Sequence, residues 1–272
     1  MTLSRRTVLG STAAAAMGSM TVSGPAQAAL DLSNPANKME VYARMRGMGD
    51  GELSLWWWRA NIWAKPNDEV AVKIAIAEGL TFQRLTRNGD GTLQDAQAGR
   101  GTFRDAETGE PLTTFTNPIN GHTAEPDHIR SLNRGVIGPN GIIREPDVRV
   151  LVFESEISEP LVNLGQVFMR ENFVAKFKGR EGRAATSTSS SLTTYVAQAD
   201  DIADDGKAFR PCNFFYQSLG GFRPWMGMDD ATGALSWQTY GQKLGNGPDK
   251  ASDDIRGWVD ANYPGFLENP GI

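Results

Sequence analysis

The two histidines of the chain, His122 and His128, lie in one short segment that also holds Glu125 and Asp127. Histidine titrates near neutral pH, so this segment is the first candidate for proton chemistry. His128 can accept or donate a proton, with Asp127, Glu125 or Glu154 orienting it or sharing the work. The alternative is a structural role, in which a core or turn histidine is tied to a backbone carbonyl.

Two further side chains fit acid–base chemistry. Arg130 shares a strand face with His128 and can bind a carboxylate or a phenolate. Tyr216 can donate a hydrogen bond to a developing oxyanion. The enzyme hypothesis depends on whether His128, Arg130 and Tyr216 converge on one cavity. Nucleophilic catalysis has little support, because the chain lacks a Gly-x-Ser-x-Gly motif and Cys212 is expected to be packed and inert.

A metal site built from His122, His128, Glu125 and Asp127 is a weaker hypothesis. In a straight strand the two histidines would lie about 20 Å apart, whereas metal–nitrogen bonds measure about 2 Å. Such a site would need a bend, for example at Pro126. We expect neither a metal nor a cofactor, since the chain has no recognisable cofactor motif.

Tryptophans suggest a binding surface. Trp56 and Trp58 share one face of a predicted strand, and Trp57 and Trp63 share the other. Both core packing and an aromatic wall in a binding cavity fit this pattern. The candidate residues for substrate binding are Trp56, Trp58, Trp225 and Trp237.

The first 28 residues have the features of an export signal. Arg5 and Arg6 match the twin-arginine pattern, and Ala26-Gln27-Ala28 fits a cleavage site. The apolar run between them is too short and too rich in Gly, Ser and Thr to span a membrane, so no stable membrane insertion is expected. We expect the twin-arginine machinery to export the chain to the periplasm, which leaves residues 29–272 as a single domain.

Charge and cysteine content exclude several classes of protein. The chain has 27 Lys and Arg against 32 Asp and Glu, and the signal removes two arginines, so the mature charge is 25 − 32 = −7. This balance argues against a nucleic-acid partner. Cys212 is the only cysteine, which excludes a disulfide within the chain. The oligomeric state stays open.

The periodicity predicts a mainly β protein. About ten strands are expected, separated by short turns, with no alternation of strands and helices. Helices are predicted from Pro35 to Arg46, closing one end of the body, and from Ser252 to Asn262. The Thr-rich residues 184–197 are predicted as a strand, and the acidic residues 200–205 as a solvated loop. The fold class is a single antiparallel up-and-down β-barrel or strongly curved meander, which can enclose a small ligand.

Two segments resemble a known family. The first comprises Asp105–Glu110, Thr116-Asn117-Pro118 and His128, and the second comprises Pro224–Met228 with Trp237–Leu244. They are similar to the signature of the family called domain of unknown function 1838, in which twin-arginine signals also occur. The resemblance implies fold and compartment more than chemistry. His122 departs from the family pattern, because a second Thr-Gly-Glu-type turn is expected where Asn120-Gly121-His122 stands.

Three functions follow as hypotheses. The first is a cofactor-independent enzyme, a lyase or isomerase, that acts on an apolar or aromatic small molecule in a barrel cavity. The second is a periplasmic carrier or sensor of a lipophilic ligand. The third is a glycan-binding or interaction protein, which requires an exposed row formed by Trp56 and Trp58.

Overall fold

A computed structural model of the chain describes residues 29–67, 69–143, 150–178, 186–228 and 231–272. The predicted signal, residues 1–28, lies outside the described residues. The helices are α1 Lys38–Arg46, α2 Ala199–Ala203 and α3 Asp253–Asn262. The strands are β1 Leu53–Pro66, β2 Val72–Arg87, β3 Leu93–Arg104, β4 Phe115–Thr116, β5 Thr123–Ala124, β6 Ile129–Gly138, β7 Gly141–Ile143, β8 Val150–Ile157, β9 Leu161–Asn163, β10 Gln166–Lys178, β11 Thr186–Gln198, β12 Cys212–Gly220 and β13 Gly233–Gly245.

Ten strands form a nearly closed antiparallel barrel, which confirms the predicted fold class. Their order around the sheet is β7-β6-β3-β2-β1-β13-β12-β11-β10-β8, with β9 added beside β10. The seam falls between β7 and β8, where the Ile142 N–H donates to Ser155 Oγ at 3.0 Å. The short strands β4 and β5 pair with each other in a separate sheet.

Helix α1 closes one end of the barrel, as predicted. A turn of 3₁₀ helix at Pro35–Asn37 precedes it, and Gly47 follows its last residue. Tyr42 and Met45 are fully buried in a cluster with side chains from seven strands. The strand members of this cluster are Trp56, Leu93, Ile137, Ile157, Val167, Met169, Tyr195, Ala197 and Cys212, with Phe214 packed against them. Because these side chains converge on one helix, they define the inner face of the barrel.

Helix α3 and the C-terminal tail cover the outer face of β1, β2 and β3. Leu55, Leu80 and Phe82 point outward and pack against Ile255 and Val259 of α3. Phe266 of the tail meets the Phe82 ring at a centroid distance of 5.5 Å. Both faces of these strands are therefore buried, which is why β1 and β2 are apolar at successive positions rather than alternating.

Two loops pack over the inner face at the end of the barrel opposite α1. Phe115 lies in the segment between β3 and β6, and Met226 lies in the segment between β12 and β13. Both are buried against Ile62 and Phe103 of the inner face. The segment that holds both histidines therefore acts partly as a cover for this end.

The acidic segment 200–205 differs from expectation. Residues 199–203 form α2 instead of a loop, since Ala199 and Ile202 are buried against the barrel end. Asp205 pairs with Arg44 of α1, so the acidic residues also help to hold α1 in place. Within the described residues, no helix is long and apolar enough to cross a membrane.

Candidate functional site

His128 immediately precedes β6, and its ring lies on the outer side of the sheet, the side to which Arg130 of β6 also points. The imidazole of His128 lies between β3 and α3, with its ring 4.9 Å from that of Trp258. The backbone N–H of Phe103 donates to His128 Nδ1 at 3.2 Å, and Thr102 Oγ1 lies 3.3 Å from the same nitrogen. His128 is thus tied to the backbone of the neighbouring strand.

The protonation state of His128 follows from these contacts. Burial lowers the pKa of His128, and a hydrogen bond to the Leu112 backbone opposes this only in part. Because Nδ1 accepts a backbone N–H, the proton of the neutral ring is assigned to Nε2. This arrangement fits a structural role for His128, in which the histidine is tied to the backbone.

The other residues of the predicted acid–base set do not converge with His128. Arg130, Glu125 and Asp127 are exposed, and His122 is exposed with its ring against Gly227. Tyr216 lies on the inner face of β12, on the other side of the sheet from His128. Among the described residues, no three His, Cys, Asp or Glu side chains are grouped so that they could hold a metal ion.

The predicted tryptophans lie mostly inside. Trp56 is 4% exposed and belongs to the cluster around α1. Trp58 and Trp237 are half-buried on the inner face, and Trp225 packs against Phe103 from a covering loop. Trp56 and Trp58 therefore form no exposed row, and the geometry required by the glycan-binding hypothesis is absent at these residues.

Two glycines make room for Trp58. Its indole lies across Gly79 of β2 and Gly101 of β3, where an added Cβ would overlap the ring or the neighbouring backbone. Its Nε1 donates to Thr81 Oγ1 at 3.0 Å. Glycine at both positions lets a large ring lie flat along the wall.

The polar centre of the barrel is a cluster that the sequence analysis missed. Arg46 of α1 points inward, and its Nη1 donates to the Tyr42 hydroxyl. Arg46 also lies 3.3 Å from Asp95 Oδ2 and 3.5 Å from Glu171 Oε2. The Tyr42 hydroxyl donates to Glu171 Oε2 at 2.6 Å, and the Tyr195 hydroxyl lies 3.5 Å from the same oxygen. One cation, two carboxylates and two phenols thus meet at the floor of the lumen.

The protonation states in this cluster follow from burial and charge. Burial raises the pKa of Tyr42 well above its ordinary value, so the phenol remains a donor. Burial alone would lower the pKa of Arg46, but nearby Tyr195, Tyr42, Asp95 and Glu171 outweigh it and raise that pKa well above the ordinary value. The guanidinium is therefore charged at all ordinary pH values.

Asp95 and Glu171 differ in whether a carboxylate oxygen is left without a hydrogen-bond partner. Asp95 accepts from Gln83 Nε2 at 2.8 Å and from Gln97 Nε2 at 2.6 Å, so both of its oxygens have partners. Glu171 uses Oε2 for Tyr42, Tyr195 and Arg46, while Oε1 has no hydrogen-bond partner in the part of the chain that the structure describes. Glu171 can therefore accept a proton or a ligand hydroxyl on its second oxygen.

A row of polar side chains leads from Glu171 along the inner wall. The register places Glu171 opposite Thr193, Thr193 opposite Tyr216, and Tyr216 opposite Thr239. Direct cross-strand neighbours have Cβ atoms about 5 Å apart. The Tyr216 hydroxyl has no hydrogen-bond partner among the described residues. The Thr239 hydroxyl is buried and equally unpartnered there, and such a group favours a ligand that supplies the missing hydrogen bond.

Lys243 fixes the position of α1. It is 1% exposed, and its Nζ donates to the carbonyls of Arg44, Met45 and Gly47 at 3.0, 2.9 and 2.8 Å. These carbonyls lie at the C-terminal end of α1, which favours a positive charge. Burial lowers the pKa of Lys243 to about 8. Lys243 therefore holds the helix that presents Tyr42 and Arg46 to the lumen.

The sequence contained two signals for the missed residues. Tyr42 and Arg46 are four residues apart on a predicted helix, so they share a face of it. Glu171 shares a strand face with Val167, Met169 and Phe173, where a lone carboxylate among apolar neighbours indicates a buried partner. Neither signal identifies the partner, because the contacts join segments far apart in the chain.

A cavity of about 700 Å³ lies on the opposite side of the same strands. It is a groove on the outer face of β8, β10, β11, β12 and β13, which α3 does not reach. Its outward-pointing lining residues are Glu154, Glu156, Asn172, Val174, Ser190, Leu192, Gln217, Leu219, Ser236 and Gln238. It contains neither the Arg46 cluster nor His128, Arg130 or Tyr216, and Glu154 alone of the predicted acid–base residues lines it, so we place the candidate site in the lumen.

The chain belongs to the family described as protein of unknown function (DUF1838), whose model matches residues 51–271. The match includes Asp95, Glu171, Tyr195 and Tyr216, whereas Tyr42 and Arg46 of α1 precede it. No curated protein and no solved structure matches the chain.

Proposed function

We propose that the protein is an exported, cofactor-independent acid–base enzyme of the lyase or isomerase class. It would act on a small molecule with an aromatic or apolar body held in the barrel lumen. The observation that supports this most is Glu171, a carboxylate with one oxygen held by the Arg46 cluster and the other without a hydrogen-bond partner among the described residues. The twin-arginine pattern of the N-terminus supports export to the periplasm.

In this proposal Glu171 takes the role that the sequence analysis gave to His128. Its free oxygen, Oε1, removes a proton from carbon next to a substrate carbonyl. Tyr216 lies two strands away, about 10 Å at normal strand spacing, so a small ring fits between them. The Tyr216 hydroxyl donates to the carbonyl oxygen as negative charge develops there. Return of the proton at another carbon gives an isomerase, and loss of a neighbouring group gives a lyase.

The inner wall supplies binding groups for such a molecule. Trp58 and Trp237 offer aromatic surface, while Thr193 and Thr239 offer hydroxyls. A mostly apolar site with a few placed polar groups is typical of small-molecule pockets. The substrate expected here has an aromatic or apolar body and at least one oxygen.

A carrier of the same kind of ligand is the second candidate. One observation favours it: Tyr42 and Arg46 hold Glu171 Oε2 in place, and this arrangement would orient a ligand whether or not a proton is transferred. A carrier needs the lumen but no proton transfer.

Deuterium exchange tests the enzyme proposal without knowledge of the natural substrate. We would incubate a panel of aryl ketones with the protein in D₂O and follow loss of the α-proton signal by NMR. We expect catalysed exchange for at least one ketone and a loss of at least about 100-fold in Glu171→Gln. Glu156→Gln, a carboxylate on the outer face of β8, is the matched control and should retain full activity.

Binding of a neutral fluorescent dye, N-phenyl-1-naphthylamine, separates the two candidates. Ser218→Trp fills the lumen, and Leu219→Trp adds the same ring on the outer face of the same strand. Dye binding that is lost only in Ser218→Trp, together with no exchange in any ketone, would favour the carrier. Dye binding unaffected by Ser218→Trp and no exchange would remove both candidates.

A further inference from the structure

Two arginines face each other on the outer surface of the barrel. Arg100 of β3 lies directly opposite Arg130 of β6 in the antiparallel register. Side chains in such positions have Cβ atoms about 5 Å apart, and like charges placed there repel. Neither guanidinium forms an ion pair with a carboxylate of the described residues. The repulsion is therefore not cancelled by those parts of the protein.

The surroundings of Arg100 limit how far water can screen its charge. Its guanidinium lies 5.2 Å from the Tyr263 ring centroid and 4.6 Å from that of Phe266. Its Nη1 donates to the carbonyls of Gly99 and Ser131 at 2.8 and 3.2 Å. Its Nε is buried and has no hydrogen-bond partner among the described atoms. Burial lowers the pKa of Arg100, Tyr263 opposes this in part, and the charge of Arg130 lowers it further.

A neighbouring arginine on the same face has acidic partners. Arg104, on the same face of β3, pairs with Glu78 at 2.8 Å and with Asp254 at 2.6 Å. Arg100 is four residues away and meets another arginine instead. The difference marks a place where an external anion would complete the electrostatics.

We infer that Arg100 and Arg130 bind an oxyanion, the carboxylate or phosphate group of a small ligand, on the outer face. Paired guanidinium groups suit planar or tetrahedral oxyanions because they donate several parallel hydrogen bonds. Arg130 is exposed and supplies the approach, while Arg100 supplies its Nη2 group, which has no hydrogen-bond partner among the described residues. Leu132, 61% exposed two residues beyond Arg130 on the same face, offers an apolar contact for the body of the ligand. This site is separate from the lumen and does not depend on the proposed enzyme activity.

Thermal unfolding in different salts tests the inference. Phosphate and citrate at about 20 mM are each compared with sodium chloride at equal ionic strength. We expect the wild-type Tm to rise by about 2 °C or more with at least one of the two oxyanions, and no rise in Arg130→Ala. Arg170→Ala, which removes an exposed arginine from the outer face of β10, should behave like the wild type.

The pattern of response identifies the ligand group. A rise with citrate alone indicates a carboxylate, a rise with phosphate alone indicates a phosphate, and either supports the site if Arg130→Ala abolishes it. No rise in the wild type, or an equal rise in Arg130→Ala, overturns the inference.

Charge reversal provides a second test that does not depend on the choice of anion. Arg130→Glu replaces the repulsion with a cross-strand ion pair to Arg100, so its Tm in sodium chloride should exceed that of Arg130→Ala by about 1–3 °C. The variant should also lose the response to oxyanions. An Arg130→Glu protein no more stable than Arg130→Ala would show that the two guanidinium groups do not interact, and the inference would fail.

Discussion

Arg46 inside the barrel and the pair Arg100 and Arg130 on its outer face differ in the partners of their charge. Arg46 is 5% exposed inside the barrel, and Asp95 and Glu171 neutralise it within hydrogen-bond range. Arg100 and Arg130 lie on the outer face, where each meets a second cation in place of a carboxylate. A charge withdrawn from water needs partners from the protein itself, whereas a surface charge can rely on solvent or on a ligand. The inner cluster is therefore preorganised, and the outer pair is open to an external anion.

The largest expected effect comes from removing the inner cation. Arg46→Met leaves Asp95 and Glu171 buried without their counter-charge, and we expect the free energy of unfolding to fall by about 3–5 kcal/mol. Arg130→Met should change it by less than about 1 kcal/mol. Urea unfolding of both variants measures the difference. Equal losses would contradict the contrast between the two faces.

Neutralising the carboxylates as well provides the control for this comparison. A variant with Arg46→Met, Asp95→Asn and Glu171→Gln no longer has buried unpaired charge. We expect it to recover a part of the stability lost by Arg46→Met alone. No recovery would indicate that Arg46 acts through packing rather than charge.

Lys243 is a second cation inside the barrel, and it extends the comparison with the outer arginines. Backbone carbonyls hold its charge, whereas carboxylates hold that of Arg46. Its pKa is about 8 in the folded protein, against an ordinary value of 10.5. Between these values the unfolded state binds more protons than the folded state, so the free energy of unfolding rises with pH in this window. A shift of this size corresponds to a total of about 3 kcal/mol across the window. Below pH 8 Lys243 is protonated in both the folded and the unfolded protein, so burial of its charge lowers the free energy of unfolding by the full amount.

The test of Lys243 must allow for Cys212. Burial raises the pKa of the Cys212 thiol from 9.0 to about 11, which makes stability fall as pH rises above 9. We therefore compare Lys243→Met with its parent in a Cys212→Ala background, by urea unfolding at intervals from pH 7 to 10. The parent should gain stability above pH 8, and the variant should not. Parallel curves would show that Lys243 is not the titrating group.

The smallest expected effect concerns His128 on the outer face. Its folded pKa lies below the ordinary 6.5, so the unfolded state takes up a proton first and stability falls as pH drops below 6.5. His128→Asn keeps an acceptor near the Phe103 N–H and removes the titration. We expect this acid sensitivity to disappear, the stability at pH 7 to change by less than about 1 kcal/mol, and any ketone exchange to continue. Loss of exchange in His128→Asn would return the catalytic role to this residue.

Much of the fold could be predicted from local patterns. Strand alternation, turn residues and the helix signals around Asn34 and Ser252 indicated a mainly β barrel with short terminal helices, which the structure confirms. The prediction of a loop at residues 200–205 was wrong, because tertiary contacts to Ala199 and Ile202 stabilise a helix of only five residues there. Helices that short depend on packing rather than on intrinsic propensity.

The sequence by itself determined which side chains share a strand face, since alternation with a period of two is a property of the extended backbone. It placed Trp56 and Trp58 on one strand face, which agrees with the structure. It also placed His128 on a strand face with Arg130, but β6 begins only at Ile129. Only the tertiary structure decided which face is inside. Helix α1 buries one face and helix α3 covers the other, so apolar character alone did not distinguish them. The Arg46 cluster joins α1 to strands far along the chain, and no local pattern can place such partners together.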